Sequence, residues 1–368
     1  MIYELTPRDY ERVRPLFQDL DHHLIIRAAL ENSTPTQIYA DNVESPGVAF
    51  ICTVEGYFLA GTSNNTAFNA GLRDLLRHIS DTGETLRAHD DAINLAIFPQ
   101  AWETALPELF PQRAPLPEHR LKYTCTELRF DWTAQIPAEY QVHRLDAQLL
   151  ERCAGRVPEH IFEWMQANWG GVEPFLQRGF GFCLLHNDNI VSWCIGDCAS
   201  GERCEVGIHT LPDYRRRGLA AIITAATVAD CFERGFTHIG WHCNAGNIGS
   251  WKTAEKVGFV KEKEYVFHLQ LFDDAVYFAE IGWRHLQEKR YAKAAESYAQ
   301  SFALKPDAPH YWYHTAAIAA AGVGETSTAF DYLRRAIEGG WQHFAFTETR
   351  EEFAALRHLP EWERLFEQ

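Results

Sequence analysis

Apolar and polar positions form strand-length and helix-length blocks most clearly between residues 131 and 272. Short apolar blocks bounded by turn residues predict strands over residues 180–185, 190–196, 204–210, 237–243 and 264–271. Longer blocks predict helices over residues 149–166 and 218–234. The second helix stops at Gly235, directly after Arg234, which is a common C-terminal signature of helices. A strand, a helix and a strand in succession predict a parallel crossover unit, and therefore an α/β domain.

The regions before and after this block have other patterns. Residues 1–130 mix both element types, with strands predicted over 48–59, 93–98 and 121–130 and helices from Leu72 and around 102–110. From residue 273 onward the pattern is helical only. Because 368 residues exceed what one hydrophobic core usually supports, we expect three domains, over residues 1–130, 131–272 and 273–368.

The C-terminal region contains an internal repeat. Three pairs of similar residues are separated by 34 positions: Ala295 and Ala329, Tyr298 and Tyr332, and Ala303 and Ile337. This period is typical of tetratricopeptide repeats, in which paired helices stack on one another. The second unit departs from that pattern, with Ala320 and Glu325 where Leu and Tyr are usual. We expect an all-α domain resembling such repeats, which either binds a protein partner or only packs on the rest of the chain.

Composition narrows the class of protein. Apolar residues make up 46% and charged residues 23%, which is ordinary for a globular protein. No apolar stretch reaches the length of a transmembrane helix, and residues 1–17 carry charges every few positions. These features predict a cytoplasmic protein without a membrane partner.

Cysteine content and net charge argue against further classes of site and partner. The cysteines number nine and lie mostly inside apolar runs, where a thiol acts as a small hydrophobe, so a reduced compartment is favoured. Cys194 and Cys198 lack a second pair or a histidine at ligand spacing, and we expect no metal. The net charge of −16 argues against a nucleic-acid partner and suits a cationic substrate such as an amine.

The basic turn before the helix at residues 218–234 is the clearest candidate for a ligand site. Arg215, Arg216 and Arg217 precede Gly218, and Ala220 follows two positions later. Free N–H groups at a helix start form an anion site together with the positive end of the helix dipole. Small residues there leave the backbone open to a phosphate, and the arginines add positive charge. Taken alone, the same residues could form a solvated turn.

Two motifs give this turn a context. Residues 205–220 (EVGIHTLPDYRRRGLA) resemble motif A of the GNAT acyltransferases, and residues 247–259 (NIGSWKTAEKVGF) resemble the motif B of that family. The spacing of the two motifs also fits. The chain is most similar to the zwittermicin-resistance-like GNAT group, which pairs a degenerate GNAT-like half with a catalytic half. Residues 62–65 (TSNN) occupy the corresponding turn of residues 1–130, so no second cofactor is expected there.

The resemblance implies a fold and a cofactor. The expected fold is a mixed α+β sheet with two splayed parallel strands, preceded by a degenerate half and followed by the helical domain. The expected cofactor is acetyl-CoA, without a metal. By analogy with the family, its pyrophosphate and pantetheine arm would contact these residues: Ile208, Thr210, Leu211, Arg215, Arg216, Arg217, Gly218, Leu219, Ala220, Asn247 and Ser250. An amide at Thr210 or Leu211 would face the thioester oxygen.

A general base is needed, because free amines are mostly cationic at pH 7. Glu205 and His209 alternate onto one face of their strand with Gly207 between them, and either could serve. We prefer Glu205 as the base and His209 as a residue lining the pocket, although Glu205 could also be structural. Motif B usually supplies a tyrosine as general acid, and Ala254 occupies that position. Ser250 or Tyr265 could substitute, or no acid is needed.

The acceptor side of the site is less defined by sequence. Trp164, Asn168 and Trp169 occur where the family has helices that face the substrate. They could line an acceptor pocket or belong to the core, where tryptophan is often buried.

The sequence thus predicts an N-acetyltransferase that transfers an acetyl group from acetyl-CoA to a small-molecule amine by direct attack. Two alternatives stay open: a protein-directed acetyltransferase whose repeat domain recruits the target, and an acyl-CoA-binding scaffold without catalysis. The acceptor, the acyl chain length and the oligomeric state do not follow from the sequence.

Overall fold

The computed structural model describes residues 1–83 and 91–365. The chain divides into two compact units, Met1–Gln270 and Leu271–Gln368. The first unit is built on a sheet, and the second is helical.

The described residues form the following elements. The strands are β1 (Tyr3–Glu4), β2 (Gln37–Ala40), β3 (Val48–Cys52), β4 (Tyr57–Gly61), β5 (Ala92–Phe98), β6 (Leu116–Cys125), β7 (Tyr140–Arg144), β8 (Gly181–His186), β9 (Asn189–Ser200), β10 (Arg203–Thr210), β11 (His238–Asn244) and β12 (Val260–Leu271). The helices are α1 (Leu24–Leu30), α2 (Thr66–Thr82), α3 (Leu106–Leu109), α4 (Ala147–Arg152), α5 (Glu159–Trp169), α6 (Val172–Arg178), α7 (Leu219–Glu233), α8 (Ile248–Val257), α9 (Asp274–Gln287), α10 (Tyr291–Leu304), α11 (His310–Gly322), α12 (Thr326–Glu338), α13 (Phe344–Thr349) and α14 (Pro360–Arg364). A long 3-10 helix covers Pro7–Leu20, and short ones cover Gln100–Thr104, Thr133–Gln135, Pro212–Tyr214, Glu351–Phe353 and Leu356–His358.

The described strands join in one continuous sheet. Their order is β1-β2-β3-β4-β5-β12-β6-β11-β10-β9-β8-β7. The pairs β4·β5 and β10·β11 are parallel, so the sheet is mixed as expected. Each half contributes its last strand to the other half of the sheet. Strand β12 lies next to β5, and β6 pairs with β11. This exchange links the two halves within one compact unit, and the boundary predicted near residue 130 falls between β6 and β7.

Several predicted elements differ in the structure. The strand expected over 121–130 is β6, over Leu116–Cys125, and the helix expected from Leu72 begins at Thr66. The single strand expected over 48–59 is a pair, β3 and β4, joined by a turn in which Thr53 N–H donates to Gly56 O at 3.0 Å. Both strands are almost wholly buried, and a continuously apolar run conceals the turn. The helix expected over 149–166 divides into α4 and α5 around Gly155 and Pro158. The helix expected around 102–110 is a 3-10 turn followed by α3.

Helix α7 is buried on nearly all sides because it covers one face of the sheet. It packs against β8, β9 and β10 in a core that also contains Cys204, Val206 and Trp241. Helices α1 and α5 contact β9, and α1 also contacts β10. Strand residues alternate between the two faces, so Glu205 and His242 point away from α7. This second face carries the site described below.

The helical unit begins with two successive helix pairs, α9 with α10 and α11 with α12. Its core contains Tyr298, Phe302, Tyr313, Phe353 and Trp362. Such stacked pairs are typical of helical repeats, and the tetratricopeptide assignment stays a prediction. No helix among the described residues is long and apolar enough to cross a bilayer.

Candidate functional site

The parallel strands β10 and β11 separate after three paired positions. Their pairing ends at Glu205 and Gly240. Beyond this point β10 continues to pair with β9 as far as Thr210, and β11 continues to pair with β6 as far as Asn244. A wedge therefore opens between residues 206–210 and 241–244, with Glu205 at its closed end. We call it the strand gap. Backbone polar groups along its edges lack a neighbouring strand and can bind an extended ligand.

The alternation of hydrogen bonds along β10 decides which backbone groups face the strand gap. Leu211 N–H donates to Val191 O at 2.9 Å, so this amide is used within the sheet. In an antiparallel ladder the intervening residues point the other way, and the Thr210 and Ile208 N–H groups therefore face the gap. Of the two amides that sequence analysis proposed for the thioester oxygen, Thr210 has the suitable direction.

Helix α7 begins at the open end of β10 without a side-chain cap. Its N-cap is Gly218, in the left-handed region at φ +79°, and the first helical bond is Ala221 N–H to Gly218 O at 3.1 Å. The amides of Gly218, Leu219 and Ala220 precede that bond and are the free donors of a helix start. A Cβ built on Gly218 would meet nothing within 4 Å among the described atoms. The start of α7 is therefore an accessible anion site.

The three arginines before Gly218 have different surroundings. Arg215 Nε donates to Thr210 O at 3.0 Å, and Arg217 donates to Asp213 O at 2.8 Å and Tyr140 Oη at 3.3 Å. These contacts hold the turn in shape. Arg216 is exposed with a positive φ of 63°, which directs the backbone into the helix. All three add positive charge beside the free amides.

The corresponding region of the N-terminal half is closed. The parallel strands β4 and β5 stay paired through Ala60 and Phe98. Helix α2 is capped by Asn65, whose Oδ1 accepts from Phe68 N–H at 3.1 Å. Asn69 Nδ2 also donates to Ser63 O at 2.9 Å, so side chains fill this turn.

A buried chain of polar groups starts at Glu205. Its carboxylate, 5% exposed, accepts from His242 Nε2 at 3.0 Å and from Leu24 N–H at 3.3 Å. Burial by itself would raise the pKa of Glu205, but the His242 imidazole and the hydrogen bonds from His242 and Leu24 outweigh it and lower the pKa below its ordinary value. Glu205 is therefore ionised at neutral pH.

The chain continues from His242 towards β12. His242 Nδ1 lies 2.7 Å from Tyr265 Oη, and Arg120 Nε donates to the same hydroxyl at 3.3 Å. Burial raises the pKa of Tyr265, with Arg120 opposing it, so this hydroxyl keeps its proton. His23 lies against His242 and Tyr265 with ring centroids at 5.5 and 4.8 Å.

His209 lies on the same face of β10 as Glu205, as the sequence predicts, but it belongs to a separate cluster. Its ring stacks on Trp193 at 4.7 Å and lies 4.9 Å from His160. Burial lowers the pKa of His209, and His160 and Arg215 lower it further, so the ring is neutral at pH 7. His209 is thus surrounded by aromatic rings near the open end of the strand gap.

The three residues predicted to face the acceptor divide between two environments. Trp164 Nε1 and Asn168 Nδ2 both donate to Asp197 Oδ1, at 2.7 and 3.0 Å, and Trp164 lies over Gly207. Trp164 therefore lies over β10 beside the gap, and Asn168 lies against β9. Trp169 donates to Gly196 O at 2.8 Å and is 5% exposed within the core of the first unit.

The motif B residues lie at the start of α8, next to β11. Asn247 caps this helix by accepting from Ser250 N–H at 3.1 Å. Ser250 Oγ accepts from Trp241 Nε1 at 3.1 Å. Ala254 is fully buried, and its position adds no hydroxyl to the site.

Sequence analysis missed His242, Arg120 and Asp197. His242 could have been noticed because it is a polar residue in the strand pattern of 237–243. It comes two positions after Gly240, so both residues lie on the same face of β11. Arg120 had no local signal, because it reaches Tyr265 only through the exchange of β6 and β12. Among the described residues no cluster of side chains could hold a metal ion.

Comparisons with known proteins agree with this geometry. Residues 14–268 match a family model described as GNAT acetyltransferase. A relative in Bacillus subtilis (strain 168), described as the uncharacterized N-acetyltransferase YdfB, is 27% identical over 269 residues, or 73% of this chain and 98% of the relative. A solved structure from Streptococcus suis 89/1591, a GCN5-related N-acetyltransferase-like protein, is 27% identical with a TM-score of 0.54, over 72% of this chain and 99% of that chain. Because the family model covers more than half of the sequence and includes both edges of the strand gap, the chain belongs to the GNAT acetyltransferase family.

Proposed function

We propose that this protein is an acetyl-CoA-dependent N-acetyltransferase that acetylates an amine of a small molecule by direct attack. The main support for the proposal is that the start of α7 and the strand gap adjoin each other. The uncapped start of α7 is reached from β10, one edge of the strand gap, through the basic turn of residues 211–218. A diphosphate at the helix start and an extended arm in the gap would therefore belong to one ligand.

The residues around these features fit coenzyme A. The amides of Gly218, Leu219 and Ala220, with the charge of Arg215, Arg216 and Arg217, suit a pyrophosphate. Ile208 and Thr210 offer backbone groups to the pantetheine arm, and Thr210 N–H suits the thioester oxygen as charge develops on it. Asn247 and Ser250 lie beside the gap on α8, where they could contact the thiol end.

The acceptor would approach from the face that carries Glu205 and His242. Bound acetyl-CoA supplies the activated acetyl group. The amine must lose a proton, and the ionised Glu205 with its hydrogen-bonded partners provides basic groups near the closed end of the gap. His209 lies on this face towards the open end, and Trp164 lies over Gly207, while Asn168 donates to Asp197 of β9 and Trp169 belongs to the core. The net charge of −16 supports a cationic acceptor.

A protein-directed reaction is the second candidate. The helical unit contains two successive helix pairs, and stacked pairs of this kind commonly bind peptides. Under this alternative, removal of residues 275–368 would abolish acetylation of a protein target. Under the main proposal, turnover of small amines would persist.

Calorimetry with acetyl-CoA tests the main proposal, combined with release of free thiol in the presence of an amine panel. Gly218→Glu places a carboxylate among the free amides and should abolish binding. Gly235→Glu is the matched control, because Gly235 ends the same helix with φ +91° and has nothing within 4 Å of a built Cβ among the described atoms. Equal binding by both variants, or no binding by the wild-type protein, would contradict the proposal.

A further inference from the structure

Three successive hydrogen bonds connect Arg120 with Tyr265, Tyr265 with His242, and His242 with Glu205. In each of them the donor is the group nearer to Arg120. Ionised Glu205 can only accept, so His242 donates through Nε2 at 3.0 Å. In the tautomer with the proton on Nε2, Nδ1 of His242 accepts the hydroxyl proton of Tyr265 at 2.7 Å. The Tyr265 oxygen accepts from Arg120 Nε at 3.3 Å. Carboxylate, imidazole and hydroxyl stand in the order that activates a hydroxyl as a proton acceptor.

The two ends of this series of hydrogen-bonded groups, Glu205 and Tyr265, are buried to different extents. Glu205 is 5% exposed, and Leu24 N–H, His242 Nε2 and Cys198 Sγ surround its oxygens at 3.3, 3.0 and 3.6 Å. Three donors thus already engage this carboxylate. Tyr265 is half-buried at the other end, on the same face of the sheet. Tyr265 is therefore the less buried residue of the two.

We propose that the proton of the acceptor amine leaves through the Tyr265 hydroxyl to His242, and that Glu205 is a positioning residue that holds the imidazole. The proposal rests on the acetyltransferase function proposed above and assigns its proton route. Glu205 thereby acts one step away from the reacting atoms.

The step balances in atoms and charge. The acceptor enters the step as the neutral amine: its nitrogen forms a bond to the thioester carbonyl carbon and gives a proton to Tyr265 Oη, while the Tyr265 proton passes to His242 Nδ1. The carbon–sulfur bond breaks, and its electron pair stays on sulfur. The His242 proton returns through Tyr265 to that sulfur, which leaves an amide, a free thiol and the original protonation states.

The ionisable groups around Glu205, His242 and Tyr265 determine whether another group competes for the proton. Ionisable groups face the relay from the adjoining elements: Glu205 on β10, Cys198 on β9, Arg120 and Lys122 on β6, Tyr265 and Lys263 on β12, His22 and His23 before α1, and Glu55 between β3 and β4. Burial, then Lys263, His242 and Lys122, lower the pKa of His22 to about 3, and burial also lowers that of His23. Both rings are therefore neutral at pH 7 and do not compete for the proton.

Kinetics of Tyr265→Phe and His242→Gln test the relay, with thiol release measured against spermidine, tyramine, glucosamine and a lysine-containing peptide. Each variant should lower kcat about 10²-fold while calorimetric binding of acetyl-CoA changes less than about twofold. The double variant should be no slower than the slower single variant, because the two groups act as a unit. Tyr123→Phe, which removes a hydroxyl that donates to Glu255, and His238→Gln, at an exposed residue of β11, should keep the wild-type kcat.

Nitrogen-15 NMR of His242 provides a readout that needs no acceptor. The relay requires the proton on Nε2, and Tyr265→Phe should shift the Nδ1 resonance. A proton on Nδ1, an unchanged kcat in Tyr265→Phe or additive losses in the double variant would overturn the relay but leave the acetyltransferase function standing. If the wild-type protein binds no acetyl-CoA or releases no thiol with any of these amines, both proposals fail.

Discussion

Trp164 lies directly over Gly207, so that a methyl group at position 207 would overlap the indole ring. The same indole donates to Asp197 at 2.7 Å. The absence of a side chain at one position of β10 thus allows α5 to approach the sheet beside the strand gap.

Gly207→Ala should therefore displace Trp164 and disturb the acceptor face. We expect a loss of about 1–3 kcal/mol in the free energy of unfolding, typical of overpacking, and lower turnover at unchanged affinity for acetyl-CoA. Chemical denaturation, calorimetry and thiol release measure these effects. Gly47→Ala is the control, because its Cβ would reach Asp41 at an ordinary 3.4 Å. Wild-type turnover in Gly207→Ala would show that the approach of Trp164 is irrelevant to the acceptor.

The closed N-terminal half leads to a prediction about stoichiometry. Since β4 and β5 stay paired and Asn65 caps α2, titration should show one acetyl-CoA per chain. Asn65→Ala should lower the free energy of unfolding by about 0.5–2 kcal/mol through loss of the cap and leave acetyl-CoA affinity unchanged. Two binding sites per chain, or weaker binding by this variant, would count against a purely structural role for that half.

The lowered pKa of Glu205 predicts a specific pH dependence of stability. In the unfolded chain this carboxyl has its ordinary pKa of 4.5, and in the folded protein the pKa lies lower. Its ionised form therefore stabilises the fold fully above pH 4.5, and this contribution disappears as the pH falls through the folded-state value. Urea denaturation of the wild-type protein and Glu205→Gln at pH 7, 5 and 4 should show a difference that shrinks towards acid. If the difference in the free energy of unfolding stayed constant with pH, the carboxylate charge would not contribute to stability.

Much of the site was accessible from sequence because its parts are local. The residues 215–220 combine a basic turn, a glycine with a positive φ and a helix start, and neighbouring positions along the chain determine all three. The shared face of Glu205 and His209 follows in the same way from strand alternation. The direction of the Leu211 amide did not follow, since it depends on the register with Val191 of β9.

The surroundings of Glu205 required distant parts of the chain to meet. Leu24 is 181 positions away in sequence, and Arg120 and Tyr265 are 145 apart. They come together because each half contributes its last strand to the other side of the sheet. No periodicity in one segment encodes that exchange.

By itself, the sequence determined the order of strands and helices around the basic turn and the candidate anion site at the start of α7, because backbone geometry and nearest neighbours decide such features. Only the tertiary structure decided where β10 and β11 separate, which amides face the gap and which side chains surround Glu205. Those relationships depend on strand register and on packing between segments far apart in the chain, and short-range patterns do not specify either.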